Sequence, residues 1–292
     1  MEKPAGLGIF ASTHRLSGGE LALLVQNVER LGFGSFWFPE ALSYECLSLA
    51  GYILSKTSEL HIGTGIANIY ARDAISSAQG HDTLNRLYRG RFILGLGVSH
   101  VSFVEGARGH SYGKPLATMR SYLENMACAD IDEKIKINER NIVLAALGPK
   151  MLKLAGMQTK GALPYSVTPE HTACAREIMG PNAWLCVEQK ICLTRHKSVA
   201  HSVAREQMGR YIKWENYRNN WFRLGFEEED LAGHGSSRFL DAMVVWGGEK
   251  TIEACIDAHF RAGANQVLLQ PFKPEGGLGP DFNALTAFAP NS

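Results

Sequence analysis

The chain has 292 residues, 45% of them hydrophobic, and a formal net charge of +1 from 30 basic and 29 acidic side chains. That balance excludes the basic footprint of a nucleic-acid binder and a polybasic membrane anchor. No apolar run reaches the length of a membrane-spanning helix, and the opening "MEKPAGLGIF" lacks the layout of a signal peptide. Six cysteines, at 46, 128, 174, 186, 192 and 255, form no C-x-x-C pair, and the chain is long enough to fold without disulfides. Reduced thiols in a cytoplasm are therefore expected.

Eight short apolar segments follow in order: 7–11, 35–38, 61–67, 92–96, 141–146, 161–167, 184–193 and 266–270. Most do not alternate strictly, as expected of parallel strands covered on both faces. Helical patterns fill the gaps between them. In "GGELALLVQNVERLG", Leu21, Leu24, Val25, Val28 and Leu31 share a face and Gly32 closes the end. In "TPEHTACAREIMG", Thr168 stands at the N-cap, Pro169 at the first helical position and Glu170 in the first turn. "EKTIEACIDAHFRAGA" again ends at a glycine, Gly263. Strand and helix alternating eight times predict one (β/α)₈ barrel domain over 1–292, with a doubly wound sheet as the competing architecture.

Two connections are long. Residues 97–114 follow the fourth strand and read as an active-site loop. Residues 194–245, between strands seven and eight, form a helical insertion that covers the barrel mouth or makes an oligomer contact. Within it Trp214, Tyr217 and Trp221 lie at helical spacing and read first as packing residues.

Barrels of this kind carry their site at the C-terminal strand ends. Those ends hold Glu40, Asn68, Tyr70, "GVSH" from Gly97 to His100, "LGPK" from Leu147 to Lys150, "YSVTPEH" and Gln270. A Gly-Pro turn opens the helix after strand five. Its unpaired N–H groups, the helix dipole and Lys150 suit a phosphate, although an ordinary turn fits the same spacing. "GLGVSH" and "GTGIAN" resemble the start of a dinucleotide fingerprint but lack its third glycine, so a dinucleotide fold is disfavoured. Glu40 and His100 are candidates for proton transfer. The ten histidines show no compact ligand spacing, and no metal is expected.

Taken together, "LGFGSFWFPEA", "IGTGIANIYARDA", "GRFILGLGVSH", "GHSYGKPLATMRSYL", "LAALGPKMLKLAG", "GALPYSVTPEHT" and "LGFEEEDLAG" resemble the luciferase-like flavin monooxygenase superfamily. Within it they resemble the deazaflavin (coenzyme F420)-dependent oxidoreductases. The resemblance implies hydride transfer between coenzyme F420 and a small organic substrate. It places the cofactor ring against Gly65 and Ile66, close to Asn68, Gly97 and Ser99, and the phosphate of the tail at Gly148, Pro149, Lys150 and Met151. Tyr70, His110, Tyr165 and His171 are the expected substrate contacts. A cis Gly65–Ile66 peptide, bulging behind the ring, is also expected; an all-trans strand with glycines for tight packing is the alternative. Relatives in the sugar-phosphate and alcohol branches carry an Asp-His type pair where this chain has Pro39-Glu40, and often an acid where it has His100.

Three further readings stand beside this one. The first is an FMN-dependent monooxygenase served by a flavin reductase, and the second a non-catalytic flavin-binding protein. The third is a carboxylate glycosidase pairing Glu40 with Glu188. A homodimer is the expected assembly, with no nucleic-acid or membrane partner.

Overall fold

The computed structural model describes residues 3–290. Its barrel strands are β1 (Gly6–Phe10), β2 (Ser35–Phe38), β3 (His61–Thr64) with its short continuation β4 (Ala67–Asn68), β5 (Phe92–Gly97), β6 (Ile142–Leu144), β7 (Gly161–Ala162), β8 (Trp184–Leu193) and β10 (Gln266–Pro271). All pair in parallel, and β10 closes the barrel by pairing with both β8 and β1. This is the (β/α)₈ barrel the alternation predicts. Among the described residues no helix is long and apolar enough to cross a membrane. None of the six cysteines is in a disulfide.

The helices between strands form for local reasons. Helix α1 (Gly18–Arg30) starts at a capping box: Glu20 donates its N–H to Ser17 Oγ, and Ser17 N–H returns to Glu20 Oε2 at 2.8 Å. Its Leu21, Leu24, Val25 and Val28 are buried. The outer helices α2 (Cys46–Leu54), α3 (Ala74–Leu87), α4 (Pro115–Ala127) and α5 (Pro149–Gln158) wrap the barrel in turn. Helix α6 (Pro169–Met179) starts after Thr168, whose hydroxyl makes no capping bond, and ends at Gly180, where φ is +78°.

Two apolar layers result. Phe10, Trp37, Ile93, Val143, Leu163, Trp184, Cys186 and Leu268 fill the barrel lumen. A larger cluster lies between strands and outer helices. The insertion brings a third cluster, built on Trp221, Phe239, Leu240 and Met243. It comprises α7 (Lys197–Met208), α8 (Glu215–Arg223), α9 (Ser237–Met243) and an unexpected parallel strand, β9 (Val244–Gly247). β9 pairs with Lys190–Leu193 of β8, where β8 has run past β7. Helices α10 (Glu249–Arg261) and α11 (Phe282–Ala287) complete the chain.

The third strand is not continuous over 61–67. Backbone pairing of β3 to β5 stops at Gly63–Ile93 and resumes, through β4, at Ala67–Leu96. Thr64 bridges the gap with its side chain: Oγ1 donates to Gly95 O and accepts Gly95 N–H, both at 2.9 Å. Thr64→Val keeps the shape but strands both buried Gly95 groups, and should cost about 2–6 kcal/mol at 1–3 per unpaired group. Urea unfolding of Thr64→Val beside Thr64→Ser, which keeps both bonds, measures this.

Candidate active site

Burial along the strands shows where the barrel opens. β3 and β4 are buried, whereas the Gly65–Ile66 link between them is only partly so. That peptide is cis. Exposure returns also at Val98–His100 after β5, at Ala145 after β6, and at Leu147–Gly148 before α5. These places adjoin. A Cβ on Gly97 would strike the Ile66 side chain and stand 3.5 Å from Ala145 Cβ. Glycine at 97 is therefore a requirement of close approach. The Ile66 side chain, lying against Gly97, makes with Gly97, Ala145 and Gly148 a floor that ends at the N-terminus of α5.

That end is electropositive. Gly148 is the N-cap and Pro149 follows at the first turn, so no side chain caps the helix. Lys150 is exposed, and Met151 half-buried. The Arg223 guanidinium reaches in from the last turn of α8, 3.5 Å from where a Gly148 Cβ would stand, and has no acidic partner among the described residues. His171 is buried beneath, its Nε2 at 2.9 Å from Leu147 O, while Nδ1 has no partner. Burial lowers the His171 pKa, so the ring is neutral at neutral pH. Asn220, one turn before Arg223 on α8, also holds a buried Nδ2 without a partner. With the His171 ring neutral, Nε2–H donates to Leu147 O and Nδ1 is an unpaired acceptor, so the orphaned donor here is Asn220 Nδ2; with the uncapped helix start, Lys150 and Arg223 it fits an anionic group. The donors from α8 lie some seventy residues beyond "LGPK", so local spacing does not reveal them. His171, expected among the substrate contacts, lies at this end instead.

Glu40 is engaged. Its carboxylate accepts Asn68 N–H at 2.7 Å and receives both Arg72 Nη groups. Arg72 also donates to Glu45, itself the N-cap of α2, at 2.9 Å. Asn68 is buried and its Oδ1 accepts Tyr70 N–H at 2.9 Å, which braces the chain past the link. Glu40, Glu45 and Cys46 lie within 4.8 Å of one another, a spacing a metal tolerates. Arg72 occupies both carboxylates, however, and burial raises the Cys46 pKa far from thiolate.

His100 stacks on Trp214 of the insertion, centroids 3.9 Å apart, with Tyr217 at 6.2 Å. The insertion thus reaches over the mouth. Ser99, beside it, has φ +57° and its carbonyl accepts Tyr112 O–H at 3.3 Å. The 97–114 loop contains a π-helix, Ser102–Ala107, a form frequent at functional sites. Tyr70 stacks on Tyr112 and accepts Gly113 N–H, holding this loop down. His110 is exposed on the same loop.

The lumen below the mouth holds residues that sequence reasoning did not assemble. Tyr165 O–H lies 3.0 Å from both Tyr211 Oη and Gln270 Oε1. The Lys190 ammonium sits over the Tyr165 ring at 3.6 Å and pairs with Glu188 at 3.0 Å and Ser166 Oγ at 2.6 Å. Burial lowers Lys190 and raises Glu188, each restrained by the other's charge. The signal was present: two charges at i, i+2 inside the apolar strand "WLCVEQKICL" face one way. Glu188 and Glu40 are each committed to a cation, which leaves no free acid pair of the kind a glycosidase uses.

The family model for luciferase-like monooxygenases matches residues 7–266, and the chain belongs to that family. A 5,10-methylenetetrahydromethanopterin reductase of Methanolobus tindarius is 28% identical over 168 residues, 52% of this chain and 51% of that protein. The chain thus spans about half the length of this curated relative. Among solved structures, an F420-dependent secondary alcohol dehydrogenase with an F420–acetone adduct superposes with a TM-score of 0.79, at 15% identity, covering 98% of each chain. The coenzyme F420-dependent tetrahydromethanopterin reductase from Methanopyrus kandleri gives 0.73, at 16% identity, over 99% of this chain and 98% of that one. The fold is that of a flavin- or deazaflavin-binding oxidoreductase.

Burial lowers the His100 pKa to about 4, and that of His259 likewise to about 4. In the unfolded chain both return to the ordinary 6.5. Between these values the unfolded state binds more protons, so stability falls as pH drops through that window. Urea unfolding from pH 7 to pH 4 should show the decline, and His100→Gln should flatten it. An unchanged slope in His100→Gln would show that His100 is not shielded.

Proposed function

We propose that this protein transfers a hydride between coenzyme F420 and a small organic substrate. The observation that carries the reading is the floor from Ile66 through Gly97 and Ala145 to Gly148, ending in an uncapped helix start flanked by Lys150 and Arg223. It offers a flat group the Ile66 side chain beside glycine and alanine, and offers a phosphate one helix N-terminus, two cations and one buried amide donor, Asn220 Nδ2, without a partner. The resemblance to proteins described as F420-dependent, in sequence motifs and in fold, points the same way. When bound, the deazaflavin supplies or accepts the hydride and, unlike FMN, does not turn over with oxygen.

The chain's own residues then have distinct tasks. Gly97 and Ser99 border the ring, and Gly148 to Met151 with Arg223 hold the phosphate. Glu40 positions: its carboxylate, shared by Asn68 N–H and Arg72, fixes the chain that leaves Ile66. His100, neutral at neutral pH, donates an N–H to polarise a substrate oxygen rather than delivering a full proton. Tyr165 and Tyr70 bound the substrate side, the former held by Gln270 and Tyr211.

Fluorescence titration with coenzyme F420 and with FMN tests the reading: F420 should bind the more tightly. Lys150→Ala and Arg223→Ala should each weaken F420 by about 0.5–2 kcal/mol, the scale of a charge-assisted contact. Neither should affect a tail-truncated deazaflavin. Tighter FMN binding with oxygen consumption by the reduced complex would instead make the protein a monooxygenase. Equal binding of intact and truncated deazaflavin would remove the phosphate site.

A further inference from the structure

A cavity opens at the same end of the barrel, between the ends of β1 and β10. Its volume is about 390 Å³, within the range of small-molecule sites. Phe10 and Gln270 form its inner wall, and Phe272 contributes an apolar side. Arg15 and His14 from the loop after β1, and Arg210 and Glu206 from the end of α7, line the rest.

The inner wall is shared with the candidate active site. Phe10 packs against Gly65, where a Cβ would collide with its ring, and its centroid is 5.3 Å from that of Tyr165. Gln270 accepts the Tyr165 O–H. A molecule filling the cavity therefore has one end a single side chain away from the Gly65–Ile66 floor.

The outer end is open to solvent and carries two exposed arginines, Arg15 and Arg210. Arg15 has no acidic partner among the described residues, and Arg210 has only Glu206, at 4.0 Å. His14 lies within reach of both arginines, and burial followed by their charges lowers its pKa, so at neutral pH it adds no charge. Two guanidinium groups against one carboxylate leave one positive charge. A dianion would be undercompensated there, and a neutral molecule would leave the arginines unused. Guanidinium groups suit a carboxylate by their planar donor geometry.

We infer that the cavity between β1 and β10 is a binding site for an organic monocarboxylate, distinct from the substrate position at His100, with the carboxylate between Arg15 and Arg210 and the apolar end against Phe10 and Gln270, behind the floor. The cavity's preference for a carboxylate stands without the F420 reading.

The probes are 3-phenylpropionate, its neutral amide and phenyl phosphate, titrated by ligand-observed NMR against the full chain. The acid should bind about tenfold or more tightly than the amide, the scale of a charged hydrogen bond. Arg15→Gln/Arg210→Gln should erase that preference, and Arg15→Lys/Arg210→Lys should retain most of it. Equal binding of acid and amide to the native protein would overturn the proposal whether or not the variants fold. Tighter binding of phenyl phosphate would overturn the carboxylate assignment, and an undiminished preference in the glutamine variant would place the anion elsewhere. F420 titrated in the same samples separates the two claims: failure of F420 to bind would sink the cofactor reading while leaving the acid–amide comparison to be read independently.

Discussion

The contact on which the mouth depends is the grip of Glu40 on Arg72 and the Asn68 N–H. It joins the end of β2 to the chain just past the Gly65–Ile66 link, where β3 has lost its backbone pairing to β5. Thr64 holds the near side of that gap and Glu40 the far side. Between them two residues are left facing the opening. Arg72 extends the grip to Glu45 and so to the start of α2. A half-buried carboxylate bonded to one amide and a forked guanidinium is worth most when complete, since removal of either partner leaves a charge unpaired. The clamp therefore acts as a unit, and its product is the shape of the floor.

A second set of buried charges works on the opposite wall. Lys190 and Glu188 face the lumen from β8, with Ser166 pinned between them in a left-handed conformation. Trp221 donates its indole N–H to Ser166 O, which ties the insertion to the same point. Trp214 meets His100, Tyr211 meets Tyr165, and Arg223 meets Gly148, so one helical segment touches three strand ends. The insertion is thus a wall of the mouth rather than an appendage to the barrel, and it desolvates His100.

Much of this was legible in the chain. Eight apolar segments of strand length, separated by helical periods, are enough for the barrel, because burial on both faces leaves a compositional mark on every strand. Gly97 and the Gly-Pro turn at 148–149 were readable too, since close approach and a helix start restrict residue type. What was not legible depends on meeting across the fold. "YARD" contains Arg72 in plain view, but nothing local says that its partner is Glu40 rather than solvent. Arg223 lies far along the chain from Gly148. β9 hid within the insertion because a four-residue apolar run after a helix reads equally as that helix's last turn. The role of Thr64 was missed for a similar reason: a lone threonine in a strand carries no sign that the ladder beside it is broken.

The central claim is that the clamped floor, and not the neighbouring cavity between β1 and β10, is where the cofactor ring lies. A crystal structure with coenzyme F420 bound measures this directly. The account predicts the ring over Ile66 and Gly97, the phosphate between the first turn of α5 and Arg223, and the Glu40–Arg72 contact intact. A ring seated in the β1–β10 cavity, or Glu40 released from Arg72 to touch the ring, would contradict it.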